Sequence, residues 1–253
     1  MLVDTHCHIF EEYYKNIDDI MLNVQKSNVK VIINSGCDIE TNREVLSLVD
    51  KYKIMYGTIG IHPENCDKYS QADVDFIESN LSHPKIIAIG EIGLDYYYPN
   101  SDKEKQKELF VKQMKIAEKY EVPVIIHSRE ALQDTLDILK QFKVKGVIHS
   151  YSGSVETAFE YIKIGYYIGI NGIVTFKNCN LAKYLIEIPL DKIILETDSP
   201  YLCPDPFRGK QNEPQNIEII ANYLAKIYSL PVEEIARVTS NNAAHLFDIN
   251  ITM

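Results

Sequence analysis

Lys85-Ile86-Ile87-Ala88-Ile89-Gly90-Glu91-Ile92-Gly93 is the stretch that decides the fold. It is apolar with little alternation, so as a strand it predicts cover on both faces, the habit of parallel sheets. Ser101–Tyr120 then predicts a helix. Leu109, Phe110, Met114 and Ala117 fall along one stripe, with Lys or Glu elsewhere. Pro123 follows at a common stop position, and Val122–Ser128 reads as a second apolar strand. Strand, helix and strand in this order make a parallel crossover unit.

The same unit recurs in both directions along the chain. Further strands are expected at Leu2–His8, Val29–Gly36, Ile54–His62, Val144–Ser150, Tyr166–Val174 and Lys192–Asp198, with all eight starts 22 to 37 residues apart. Helices are expected at Glu130–Phe142, where Leu132, Leu136 and Leu139 lie together, and at Gln215–Tyr228 and Val232–Phe247. Eight successive units predict a (β/α)8 TIM barrel, with 1–253 as a single domain. A doubly wound open sheet is the competing architecture, but it carries its ligand at one switch point.

The 253 residues, 45% hydrophobic and 25% charged, exclude a disordered chain. No apolar run reaches the length of a membrane span, and Met1-Leu2-Val3-Asp4 does not read as a signal peptide. The five cysteines are odd in number and lack a Cys-x-x-Cys pair, so reduced thiols and a cytoplasmic location are expected. The net charge of −10 excludes a broad basic track for nucleic acid. It leaves open a pocket that engages one phosphate.

The polar residues gather at strand ends, which converge on one mouth in a barrel. Five of the seven histidines stand there: His6, His8, His62, His127 and His149. His6 and His8 are two apart, so both imidazoles point to one face of a strand while Cys7 faces away. Glu91 interrupts an apolar strand, where a carboxylate is costly unless paired or bound to metal. Asp198 closes the apolar Ile193-Ile194-Leu195, with a turn cap as its ordinary reading. This set of His, Glu and Asp suits a divalent metal. Arg129 is either a surface arginine or a clamp for phosphate or carboxylate. His62 divides evenly between capping and the site. His83 and His245 lie away from the mouth. Tyr96-Tyr97-Tyr98 packs a loop, with base stacking as the alternative.

Val3-Asp4-Thr5-His6-Cys7-His8, Gly60-Ile61-His62-Pro63, Gly90-Glu91-Ile92-Gly93-Leu94-Asp95-Tyr96, His127-Ser128-Arg129, His149-Ser150-Tyr151-Ser152-Gly153 and Leu195-Glu196-Thr197-Asp198-Ser199-Pro200-Tyr201 together resemble the TatD-type metal-dependent deoxyribonucleases. Phe207-Arg208-Gly209-Lys210 and Asn241-Asn242-Ala243 extend the resemblance over essentially the whole chain. It implies an amidohydrolase-type barrel with two divalent ions, Mg²⁺, Mn²⁺ or Zn²⁺. His6, His8, Glu91 and Asp198 match the positions that hold one ion. Glu91, His127 and His149 match those that hold the second, with Glu91 bridging. His62, Asp95, Arg129 and Arg208 match positions on the substrate side. Ser150-Tyr151 replaces a frequent Cys-Phe. Gln211 replaces a frequent Arg, removing a positive charge near the mouth.

The implied activity is phosphodiester hydrolysis at a DNA end or single strand, by metal-activated water, with Asp198 and Glu91 as catalytic residues. An amidase, esterase or deacylase on the same barrel is the alternative; related barrels often place a modified Lys where Glu91 stands. A non-catalytic metal-binding protein is the further alternative, although a structural zinc is normally closed by ligands from one compact segment. No membrane and no obligate protein partner is implied.

Overall fold

The computed structural model describes residues 1–251. The strands are β1 (Leu2–Cys7), β2 (Val29–Ser35), β3 (Met55–Ile59), β4 (Ile86–Asp95), β5 (Val124–Arg129), β6 (Gly146–Ile148), β7 (Tyr166–Ile170) and β8 (Ile193–Leu195). They stand in chain order in one eight-stranded sheet, which with its helices is the expected (β/α)8 barrel. The helices are α1 (Ile17–Gln25), α2 (Ile39–Lys51), α3 (Gln71–Asn80), α4 (Lys103–Tyr120), α5 (Leu132–Leu139), α6 (Val155–Lys163), α7 (Ile217–Tyr228) and α8 (Val232–Phe247). Among the described residues no helix is long and apolar enough to cross a membrane.

Three expectations need correction. His62, His149 and Asp198 lie just beyond their strands, because the backbone turns out of the ladder there. His62 caps a short 3-10 turn, and Ser150 and Asp198 adopt left-handed φ of 49° and 57°. The seventh unit has no α-helix: β7 and β8 are joined by 3-10 turns at Gly172–Thr175, Leu181–Lys183, Leu185–Glu187 and Leu190–Lys192. Asn178, Asn180 and Pro189 are poor interior helix residues, and they break the segment. Leu132 is exposed, although Leu136 and Leu139 are buried as expected. It is the first residue of α5, where the turn has not yet closed over a core.

The chain forms two compact units. The first comprises residues 1–34, 150–163 and 167 onward. In it β1 pairs with β2 and β7 with β8, both parallel. The segment after β8 joins β1: Cys7 bridges to Ser199, Asp198 N–H donates to His6 O at 2.9 Å, and His8 N–H donates to Ser199 O at 2.7 Å. Helices α7 and α8 pack on β1 and β8.

The second unit comprises residues 35–149 and 164–166. It holds β3, β4, β5 and β6, paired in that order and parallel. Ile92, Leu94, Val124, Ile125 and Ile126 are buried between the strands and helices. Leu109, Phe110, Met114 and Ala117 form the buried stripe of α4, as the sequence predicts. Gly93 sits at φ 143°, where a Cβ would stand 2.0 Å from His127 O. Only glycine lets β4 approach β5 this closely.

Candidate active site

In the first unit, His6 near the end of β1 and His8 just beyond it point to one side, and the buried Cys7 between them donates its thiol to Ile33 O at 3.4 Å. The two Nε2 atoms stand 3.0 Å apart, and Asp198 Oδ1 lies 3.6 Å from His6 Nε2 and 3.5 Å from His8 Nε2. Asp4, fully buried, sets the turn that carries Asp198. Its Oδ1 accepts from Thr197 N–H at 2.8 Å and its Oδ2 from Thr197 Oγ1–H at 2.6 Å. Burial raises the Asp4 carboxyl well above the usual range, against the bonds from Thr197. Glu196, also buried, accepts from Ser150 N–H at 2.6 Å and holds the turn that follows His149.

In the second unit, three imidazoles converge on one oxygen. Glu91 Oε1 lies 2.8 Å from His127 Nδ1, 3.0 Å from His149 Nε2 and 3.6 Å from His62 Nε2. The His62 and His127 ring centroids are 4.5 Å apart. Burial, with the charge on His127 adding to it, pushes His62 down to about 3. Burial would lower His127 as well, but its bonds to Asp95 and Glu91 outweigh that and raise it.

Asp95 is buried, with Oδ2 2.9 Å from His127 Nε2 and Oδ1 accepting from Tyr97 N–H at 2.9 Å. Burial works against its charge, but these bonds keep its carboxyl below the ordinary value. Its place is thus behind His127, and His62 stands within the ligand cluster itself. The two arginines are exposed, each over an aromatic ring. Arg129 Cζ is 3.6 Å from the Tyr97 centroid, and Arg208 Cζ is 4.4 Å from that of Phe176. His83 pairs with Asp50 at 3.2 Å, and His245 is exposed on α8, so neither joins a cluster.

The donor chemistry fits divalent ions. His62, Glu91 and His127 offer nitrogen and oxygen atoms within 4.8 Å of one another. His6, His8 and Asp198 do the same at 3.0 to 3.6 Å. Imidazole and carboxylate are the common ligands of such metals. His127, with Asp95 on its second nitrogen, has the supported arrangement typical of a metal-bound histidine.

The model of the TatD-related DNases matches residues 3–248. The chain belongs to that family. YabD of Bacillus subtilis, named an uncharacterized metal-dependent hydrolase, is 38% identical over 99% of this chain and 100% of its own. YcfH of Escherichia coli K12, named in the same way, is 37% identical over 98% of this chain and 96% of its own. The crystal structure of YjjV, a TatD homologue from Escherichia coli K12, aligns over 98% of both chains with a TM-score of 0.91 and 30% identity. This TatD protein is therefore a metal-dependent hydrolase with the barrel of its family.

Several residues of the site frame escape a reading by strand ends. Asn42 bonds both polar groups of Gly60, Gln113 those of Ile61 and Gln106 those of Asp95, all at 2.8 to 3.0 Å. Each side-chain amide replaces a neighbouring strand where the backbone leaves the ladder. Asn34 does this for Ile9 in the first unit. Amides set among the apolar residues of α4, at 106 and 113, were the available signal.

Proposed function

We propose that this TatD protein cleaves phosphodiester bonds in DNA, at a strand end or in a single strand. Residues 1–253 would act as one catalytic domain. The observation that carries the reading is Glu91 Oε1 with three imidazoles around it, a carboxylate where a barrel for carbonyl substrates often has a modified Lys. The exposed cations Arg129 and Arg208 support an anionic substrate. Five cysteines outside any disulfide accord with a cytoplasmic location.

His6, His8 and Asp198 would hold a divalent ion in the first unit, and Glu91, His127 and His149 one in the second. When bound, such ions supply Lewis acidity toward the phosphoryl group and lower the pKa of water. Asp198 accepts the proton of the attacking water at a carboxylate oxygen. Its left-handed backbone and its N–H bond to His6 O aim that carboxylate beside His6 and His8. Asp95 holds the His127 ring in orientation. Arg129 or Arg208 would neutralise charge that grows on the phosphoryl oxygens.

The test is a metal-by-substrate matrix. Metal-stripped protein is given Mg²⁺, Mn²⁺ or Zn²⁺ and assayed on oligonucleotides and on ester and amide panels. DNA cleavage is expected, with Asp198→Asn losing about 10³-fold or more in kcat while remaining folded. Turnover of esters or amides alone would assign the carbonyl chemistry. Metal binding with no turnover would mark a binding protein.

A further inference from the structure

The Arg129 guanidinium stands over the Tyr97 ring with Cζ 3.6 Å from the centroid, the separation of a stacked contact. Both side chains are about half exposed, 46% for Arg129 and 49% for Tyr97. Among the described residues the Arg129 guanidinium makes no hydrogen bond, and the Asp95 carboxylate stands 4.0 Å from its Nη1. Stacking uses the face of a guanidinium and leaves its five N–H donors in the plane. An arginine held in this way offers a fork to two oxygens of one phosphate. Without the ring, that geometry would cost the rotamer entropy of a long side chain at each binding event.

The backbone that carries the ring is itself tied down. Tyr97 N–H donates to Asp95 Oδ1, and Asp95 Oδ2 meets His127 Nε2. On the preceding residue, Tyr96 O–H donates to Asp134 Oδ2 at 2.7 Å, and Lys107 Nζ reaches the same oxygen at 2.9 Å. The Tyr97 backbone is therefore tied to the residue that supports His127. The first unit repeats the device: Arg208 Cζ lies 4.4 Å over Phe176, whose N–H donates to Ile173 O at 2.9 Å.

We propose that Tyr97 is a positioning residue for a substrate phosphate, holding the Arg129 guanidinium over its ring so that its edge meets phosphoryl oxygens. Phe176 does the same for Arg208. This rests on the phosphodiester reading and deepens it. A fork of charged donors favours a phosphate over a neutral ester or amide, so the substrate class is set partly by two aromatic residues that bear no charge.

Steady-state kinetics on a short single-stranded oligonucleotide test this with Tyr97→Phe, Tyr97→Leu, Arg129→Gln and the double variant Tyr97→Leu/Arg129→Gln. Tyr97→Leu should raise KM about 2- to 5-fold with kcat and thermal midpoint held, the size of an exposed cation–π contact. Tyr97→Phe should restore the wild-type KM. Arg129→Gln should raise KM about 10-fold or more, and adding Tyr97→Leu should change nothing further. The same ratios should appear in the affinity for a labelled oligothymidylate in an Asp198→Asn background, read by fluorescence anisotropy. An unchanged KM in Tyr97→Leu, beside a raised one in Arg129→Gln, would overturn the role of Tyr97. So would a full Tyr97→Leu effect in the Arg129→Gln background, since the ring would then touch substrate itself. Wild-type affinity in Arg129→Gln removes both the clamp and its support. If the protein turns over no DNA at all, the phosphodiester reading fails, and the binding arm still decides whether Tyr97 acts through Arg129.

Discussion

The two units present their candidate metal-ligating side chains by different means. In the first, the main chain does the work. His6 stands in β1, His8 just past it is bound through its own N–H to Ser199 O, Asp198 is bound through its own N–H to His6 O, and buried Asp4 ties down Thr197 beside it. In the second, side chains hold side chains. Glu91 gathers His62, His127 and His149, and Asp95 backs His127. A ligand fixed by strand pairing shares the stability of the sheet. A ligand fixed by a carboxylate–imidazole bond can be loosened without unfolding anything. The first unit should therefore report damage as lost stability and the second as lost metal affinity.

That contrast can be broken by three substitutions. Asp4→Ala strands the buried Thr197 N–H and leaves its O–H only Ser199 Oγ at 3.0 Å, so a loss of about 2 kcal/mol is expected, measured by urea unfolding of the metal-free protein. A variant as stable as wild type would show that the first unit does not depend on this frame. Asp95→Asn should leave the unfolding midpoint in place and weaken metal binding by about 10- to 100-fold, read by competition with a chelating dye. Unfolding of Asp95→Asn, with normal metal affinity in whatever remains folded, would invert the comparison. Gln113→Leu sharpens it, because this amide lies in the second unit yet serves the main chain at Ile61. A stability loss of about 1–2 kcal/mol with metal affinity unchanged is expected, and the chelator assay on the same samples separates the two effects.

Much of this was legible beforehand. Gly90-Glu91-Ile92 showed a carboxylate in an apolar strand, and the structure buries Glu91 against histidines. His6 and His8 point to one side because period two is a property of any extended chain. Other parts were hidden. The amides of Asn42, Gln106 and Gln113 serve backbone groups 11 to 52 positions away, and local patterning carries no information about such distant partners. The seventh unit looked like its neighbours by spacing alone, although its connection is built from 3-10 turns.

By itself the sequence determined the repeat of strand and helix and the identity of the ligand-type residues in or near the strands. These follow from local periodicity and from the cost of leaving a charge among apolar residues. Tertiary structure alone decided which atom faces which. It put Asp95 behind His127, His62 against Glu91, and each arginine on an aromatic ring. Those pairings depend on register between strands and on loops that leave the ladder at His62, Ser150 and Asp198. Both are set by packing between residues far apart in the chain.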